Sequence, residues 1–203
     1  MIKKLSQDYL YEPTDTIAVT HKQHVINEYN IYLFGEIKSS DQFLNAIEIL
    51  NVATAEDIVK LNLSSVGGSL HACDTLLFEM QKAQARDVQI HIIGSGLIAS
   101  AGSLILLNGS SFELSDDAVI MLHCGSLGES GTLAEFRTAS RFYTDFMEHI
   151  FSKHYQYLLS DDEIAELVAG KDFWFTSHEF ATRYEHMQEC IANEMDMVEA
   201  ESE

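Results

Sequence analysis

The stretch GSGLIASAGSLILLNG, Gly94 to Gly109, decides how the chain is read. A β-type run, VQIHII from Val88, leads into the Gly94-Ser95-Gly96 triplet, which reads as a turn. The small residues Ala99, Ser100, Ala101, Gly102 and Ser103 then open an apolar helix closed by Asn108-Gly109. Ser100 is thereby placed at the mouth of a helix. The first N–H groups there have no partner inside the helix, and the macrodipole adds partial positive charge. An oxyanion formed beside Ser100 would meet the N–H of Ala101, and the small neighbours let a substrate backbone come close. A run of small residues equally suits two helices packed tightly, so the stretch takes its meaning from what surrounds it.

Toward the amino terminus, IYLFGEI from Ile31 reads as a buried strand. Ser39 with Gln42 reads as a helix cap, followed by Phe43, Leu44, Ile47 and Leu50 at helical spacing. A second strand, IVKLNL from Ile58, enters SSVGGS, after which Leu70, Cys73, Leu76, Leu77 and Met80 mark one face of a helix. Strands alternating with helices predict an α/β fold with a parallel sheet. In such sheets the loops at the carboxyl ends of neighbouring strands converge on one crevice, so Gly68 and Ser100 belong to the same place. The paired glycines there permit close backbone approach, and the N–H of Gly68 is a candidate oxyanion donor. Gly-Gly is also an ordinary turn.

Toward the carboxyl terminus, SSFEL and AVIML are two short β-type runs, and the second delivers His123. A histidine there serves as a general base for Ser100 or as a satisfied core residue. Cys124, a rival nucleophile, points away from its neighbour in an extended chain and reads as packing. After a glycine-rich loop, Gly125 to Gly131, Thr132 and Glu135 form a capping box. The aromatic helix that follows is predicted to reach Leu158, about 27 residues, and to project against another subunit because it exceeds the usual ~8 to 20. Its His149 and His154 make a poor metal pair. Ser160 with Glu163 opens a short helix stopped at Gly170, and KDFWFTSHEF then places Asp172 before an apolar FWF and a third cap, Thr176 with Glu179. Asp161 and Asp162 compete with Asp172 as an acidic partner, but a helix cap already gives them an ordinary role.

The chain divides into an arm over residues 1–27, a folded body over 28–190 and an acidic tail over 191–203. The arm carries a short strand, Thr16 to Thr20, and a solvated pair, His21 and His24. The tail, with five acids from Asn193 onward, is expected to be disordered. A chain of 203 residues can bury roughly 70% of its unfolded surface without staples. Cys73, Cys124 and Cys190 form neither a disulfide framework nor a zinc pattern, which suits a reducing compartment. With 12 Lys+Arg against 32 Asp+Glu the net charge is -20, which repels nucleic acid and anionic lipid. No apolar run approaches the ~18 residues of a membrane span, and no signal-peptide core precedes the body, so a soluble, cytoplasmic protein is expected.

Four stations together resemble the ClpP family of serine peptidases, within the ClpP/crotonase superfamily. They are SSVGGS, IASAG, VIMLH and KDFWFTSHEF, in that order, within a similarity from about Ile31 to about Tyr184. The resemblance implies a spiral of ββα units with a protruding handle helix. Ser100 matches the nucleophile, His123 the general base and Asp172 the acid that orients it; Gly68 and Ala101 match the oxyanion-hole donors. It implies no metal and no cofactor. It also implies a homo-oligomer of heptameric, stacked rings, in whose chamber peptides are cleaved without ATP, an AAA+ unfoldase feeding polypeptide into it. Val66 departs from the family's proline, Cys124-Gly125 from a polar-proline pair and Glu185 from a glycine. Compact ClpP-like proteins also occur in bacteriophages, which makes host cytoplasm an alternative location. Two other functions compete: a catalytically silent ring or scaffold subunit, and a crotonase-type acyl-CoA enzyme. The chain order serine, histidine, acid and the presence of Ile98 in place of a glycine set it apart from α/β-hydrolases.

Overall fold

A computed structural model describes residues 25–126, 128 and 131–202. Residues 1–24, which carry the expected Thr16 to Thr20 strand and His21 and His24, lie outside the described residues. The elements are β1 (Glu28–Ile37), a 3-10 turn (Ser40–Phe43), α1 (Leu44–Val52), β2 (Ile58–Gly68), α2 (Leu70–Gln84), β3 (Gln89–Ala99) and α3 (Ala101–Leu107). They continue with β4 (Ser111–Leu114), β5 (Val119–Leu122), α4 (Leu133–His154), α5 (Asp161–Val168), β6 (Phe173–Thr176) and α6 (Ser177–Ser202). The sheet runs β1-β2-β3-β5-β6, with β4 also paired to β3. Every pair is parallel except β5 with β6. The mixed α/β architecture agrees with the fold class expected from the sequence.

The strands outrun the runs that suggest them. Gly94-Ser95-Gly96 does not end β3; the strand bends there and continues to Ala99, its register against β2 slipping between Leu63 and Ser65. Likewise Ser64 to Gly68 is strand, not turn. The bend divides β3 between two partners: His91–Gly94 pairs with β4, and Leu97–Ala99 pairs with β5. Two short strands thus lie end to end beside one long one.

One face of the sheet is covered by helices and forms the core. Val59, Leu61 and Leu63 of β2 alternate inward, as do Ile90 and Ile92 of β3, and all are buried against residues such as Leu76, Met80 and Ile105. Among the described residues the other face stays uncovered, with Tyr32, Phe34 and Trp174 exposed by 65%, 60% and 57%.

Three other expectations change. Ser39 makes no side-chain cap; Gln42 instead accepts from the N–H of Lys38 and donates to the carbonyl of Glu36, closing the 3-10 turn. The long helix α4 is 22 residues and stops at His154, because Tyr155 turns inward and Tyr157 adopts a positive φ of 66°. The tail is not structureless: α6 runs unbroken from Ser177 to Ser202, a segment without glycine or proline and rich in helix-forming Ala, Glu and Met. The caps Thr132–Glu135, Ser160–Glu163 and Thr176–Glu179 all form. The guanidinium of Arg183 grips Glu163 through two bonds, at 2.8 and 2.9 Å, and fastens α6 to α5.

Asp57, buried before β2, fastens the start of the sheet. Its carboxylate accepts from the backbone and side chain of both Thr54 and Asn27 at 2.8 to 2.9 Å. Those bonds, the Thr54 N–H foremost, hold its pKa down to about 2. A carboxyl in the unfolded chain titrates near ~4, so this contribution is fully present above that pH and is lost as pH falls toward about 2. Asp57→Asn is expected to melt several degrees below the parent at pH 7, the gap narrowing between pH 4 and pH 2 in thermal denaturation followed by circular dichroism.

Candidate active site

Ser100 joins β3 to α3 with φ 56° and ψ -127°, a conformation uncommon for a residue with a side chain. Three contacts hold it. Its N–H donates to the carbonyl of Met121 on β5 at 2.9 Å, and its own carbonyl accepts from the Ser103 N–H at 2.9 Å and the Ser103 hydroxyl at 2.6 Å. From below, Gly67 of β2 lies so close that a Cβ there would sit 2.6 Å from both the Ala99 carbonyl oxygen and the Ser100 Cβ. Ser65 steadies this glycine, accepting from its N–H at 3.1 Å while donating to the Gly35 carbonyl at 2.6 Å.

A cleft of about 900 Å³ opens over this turn. Ser100, Ala101, Gly68 and His123 line it together, with Met147 and Phe151 of α4 on its wall. Gly68 has φ 141° and abuts Ile37 of β1, where a Cβ would meet the Ile37 carbonyl at 2.1 Å; only glycine fits. Ala101 is the first residue of α3, so its N–H has no acceptor inside that helix. Four of the five residues singled out from sequence therefore share one cavity.

The fifth, Asp172, is exposed and does not line the cleft, but the strand register brings it to His123. Met121 pairs with Trp174 and Leu122 with Phe173 in the antiparallel β5–β6 ladder. His123 and Asp172 are the next residues beyond the last pair of that ladder, and neither belongs to a strand. Among the described residues no hydrogen bond joins Ser100, His123 and Asp172. Lys171, next to Asp172, is engaged with Glu166 and lies 4.7 Å over the Phe173 ring.

Cys124 also faces the cleft, and burial pushes its thiol pKa up, which lowers the thiolate fraction and weakens it as a nucleophile. Among the described residues no group of three His, Cys, Asp or Glu side chains comes together as a metal site, and no helix is long and apolar enough to cross a membrane. Two residues at the site are not singled out by the sequence. Gly67 was visible only as half of a Gly-Gly pair. Tyr155 bonds Ser103 across fifty-two positions, a contact that no local pattern announces.

A family model described as Clp protease matches residues 14–193. That span reaches further at both ends than the four motifs. No curated protein matches the chain.

Gly67 and Gly35 share a φ of 84°, but a Cβ on Gly35 would meet nothing within 4 Å. Gly35→Ala is thus expected to cost about 1 to 2 kcal/mol from backbone strain alone. Gly67→Ala adds the collision with the Ser100 turn, about 2 to 4 kcal/mol in all. Urea denaturation of the two variants checks the difference.

Proposed function

The chain belongs to the Clp protease family, and from that premise we propose that it is a serine peptidase acting through Ser100, His123 and Asp172. The observation that carries the reading is the meeting of three strand ends. Ser100 leaves β3, His123 leaves β5 and Asp172 enters β6, all at the same end of the sheet. Ser100 attacks the scissile carbonyl while His123 takes its proton; the oxyanion is received by the N–H groups of Gly68 and Ala101. His123 then returns the proton to the leaving amine, and Asp172 holds the imidazole in the tautomer this requires. Water completes the cycle by hydrolysing the acyl-enzyme, again with His123 as base. Nothing in this sequence of steps calls on a metal or organic cofactor.

Assembly belongs to the proposal. Parallel sheets are ordinarily covered on both faces, whereas this one leaves Tyr32, Phe34 and Trp174 bare. Among the described residues the amino-terminal turns of α4 are exposed as well, with Leu133 exposed by 78% and Phe142 against its helix neighbours Tyr143 and Phe146. Both surfaces support a ring of copies joined side by side and stacked through α4, enclosing the clefts. The substrates are peptides or unfolded polypeptide, and an AAA+ unfoldase fits as their source in the cytoplasm.

A second reading, a silent ring subunit, is favoured by one observation: the serine, histidine and aspartate make no hydrogen bonds to one another. Such bonds are often long in an unliganded site and tighten on binding. A fluorophosphonate probe separates the readings. The native oligomer is expected to be labelled at Ser100, as located by peptide mapping, and Ser100→Ala to be inert. His123→Ala and Asp172→Asn are expected to slow labelling by about 10³ to 10⁴. An unlabelled, well-assembled oligomer would establish the silent subunit instead. For assembly, Leu133→Glu with Phe136→Glu is expected to halve the particle mass in sedimentation velocity, and Phe34→Glu to break it into smaller pieces.

A further inference from the structure

Behind the nucleophile turn lies a buried pair of hydroxyls. Ser103, with no exposed surface, donates its one proton to the Ser100 carbonyl at 2.6 Å. Its oxygen is 2.8 Å from the Tyr155 hydroxyl, so the tyrosine must be the donor in that contact. Tyr155 is buried at the base of α4, its ring stacked on Phe151 at 5.5 Å, and burial raises its pKa so that the phenol keeps its proton. Protons therefore point one way along the chain, from Tyr155 to Ser103 to the Ser100 carbonyl.

That carbonyl is one end of a rigid plane whose other end is the Ala101 N–H. A flip of this peptide would carry Ser100, at φ 56° and ψ -127°, into the left-handed region and relieve it, while forcing a positive φ on the helical Ala101. The flip would turn the Ala101 N–H away from the cleft and present the Ser100 carbonyl oxygen in its place, repelling an oxyanion. Two bonds from Ser103 oppose the flip, and Tyr155 locks the Ser103 rotamer that makes the shorter one. Hydrogen bonds in series also polarise one another, which makes the Ala101 N–H a stronger donor.

We infer that Tyr155 and Ser103 are positioning residues for the oxyanion hole: they hold the Ser100–Ala101 peptide with its N–H toward the substrate and polarise it. The inference rests on the serine-peptidase reading above. It concerns transition-state stabilisation, so it separates from a merely structural role by where the loss appears.

Tyr155→Phe removes one hydroxyl and keeps the ring. It is expected to lower kcat on a fluorogenic peptide, and the rate of fluorophosphonate labelling, by about tenfold, less than the 10² to 10³ of losing an oxyanion donor outright. KM should change by less than about twofold, and the inhibition constant of a peptide boronate, which mimics the tetrahedral intermediate, should rise by the same factor as kcat falls. Ser103→Ala is expected to lose more, about 30-fold, and adding Tyr155→Phe to it should cost nothing further, because the tyrosine acts through the serine. The acid limb of the kcat/KM profile should not move, since neither residue touches His123. If Tyr155→Phe does not fold, Ser103→Ala alone carries the test, through the same kcat, KM and boronate readouts. Equal kcat in variants and parent, or a loss confined to KM, overturns the inference while leaving a labelled parent as a serine peptidase. A parent that is itself unlabelled at Ser100 overturns both.

Discussion

The positive φ of Ser100 is the constraint on which the rest of the site depends. A residue with a side chain in such a conformation costs about 1 to 3 kcal/mol and persists only where its surroundings over-determine it. Here the surroundings come from four separate elements. β5 takes the N–H through Met121, and α3 folds Ser103 back onto the carbonyl. β2 supplies a glycine where any side chain would collide, and the base of α4 supplies the tyrosine that fixes Ser103. The turn puts Ser100 and Ala101 together in the lining of one cleft, where the proposed acyl transfer would use the hydroxyl of one and the N–H of the other.

The bends in the sheet serve the same end. Registers slip at Gly35 between β1 and β2 and beyond Gly94 between β2 and β3, so the carboxyl-terminal halves of these strands take a new direction. Past its bend β3 exchanges β4 for β5, and β5 is the strand that both braces Ser100 and delivers His123. An antiparallel strand placed beside β5 then starts where β5 ends. The start of β6 at Phe173 consequently lies beside the end of β5 at Leu122, although it comes seventy-three positions after Ser100.

How much of this was legible in the sequence follows from the range of the interactions. Helix caps are three residues long, and Thr132–Glu135, Ser160–Glu163 and Thr176–Glu179 were readable from spacing alone. The alternation of strand and helix and the order of the four motifs carried the fold class and the family. The paired glycines misled: at Gly67-Gly68 and Gly94-Ser95-Gly96 they bend strands that continue, because pairing to a neighbour on each side outweighs the local preference for a turn. Tail composition misled in the opposite sense, since a high acid content says little against a helix that contains no breaker. Ser103 and Tyr155 stayed hidden because one was a small residue among small residues and the other an aromatic among aromatics. Their meaning is a single contact made by tertiary packing.

The helix α4 joins the two halves of the argument. Its first turns leave Leu133, Phe136 and Phe142 exposed among the described residues, while its last turns give Met147 and Phe151 to the wall of the cleft and lead directly into Tyr155. A net charge of -20 opposes association of like chains, so the assembly proposed above would draw on apolar surface, and the aromatic flank of α4 offers it. A helix is stiff along its axis, and a partner laid against its amino-terminal turns would restrict the tilt of its base. That base sets the position of the Tyr155 hydroxyl, the hydroxyl sets Ser103, and Ser103 sets the peptide beneath the nucleophile. Assembly and the oxyanion hole would then be coupled through one rigid element, with no movement of His123 or Asp172 required.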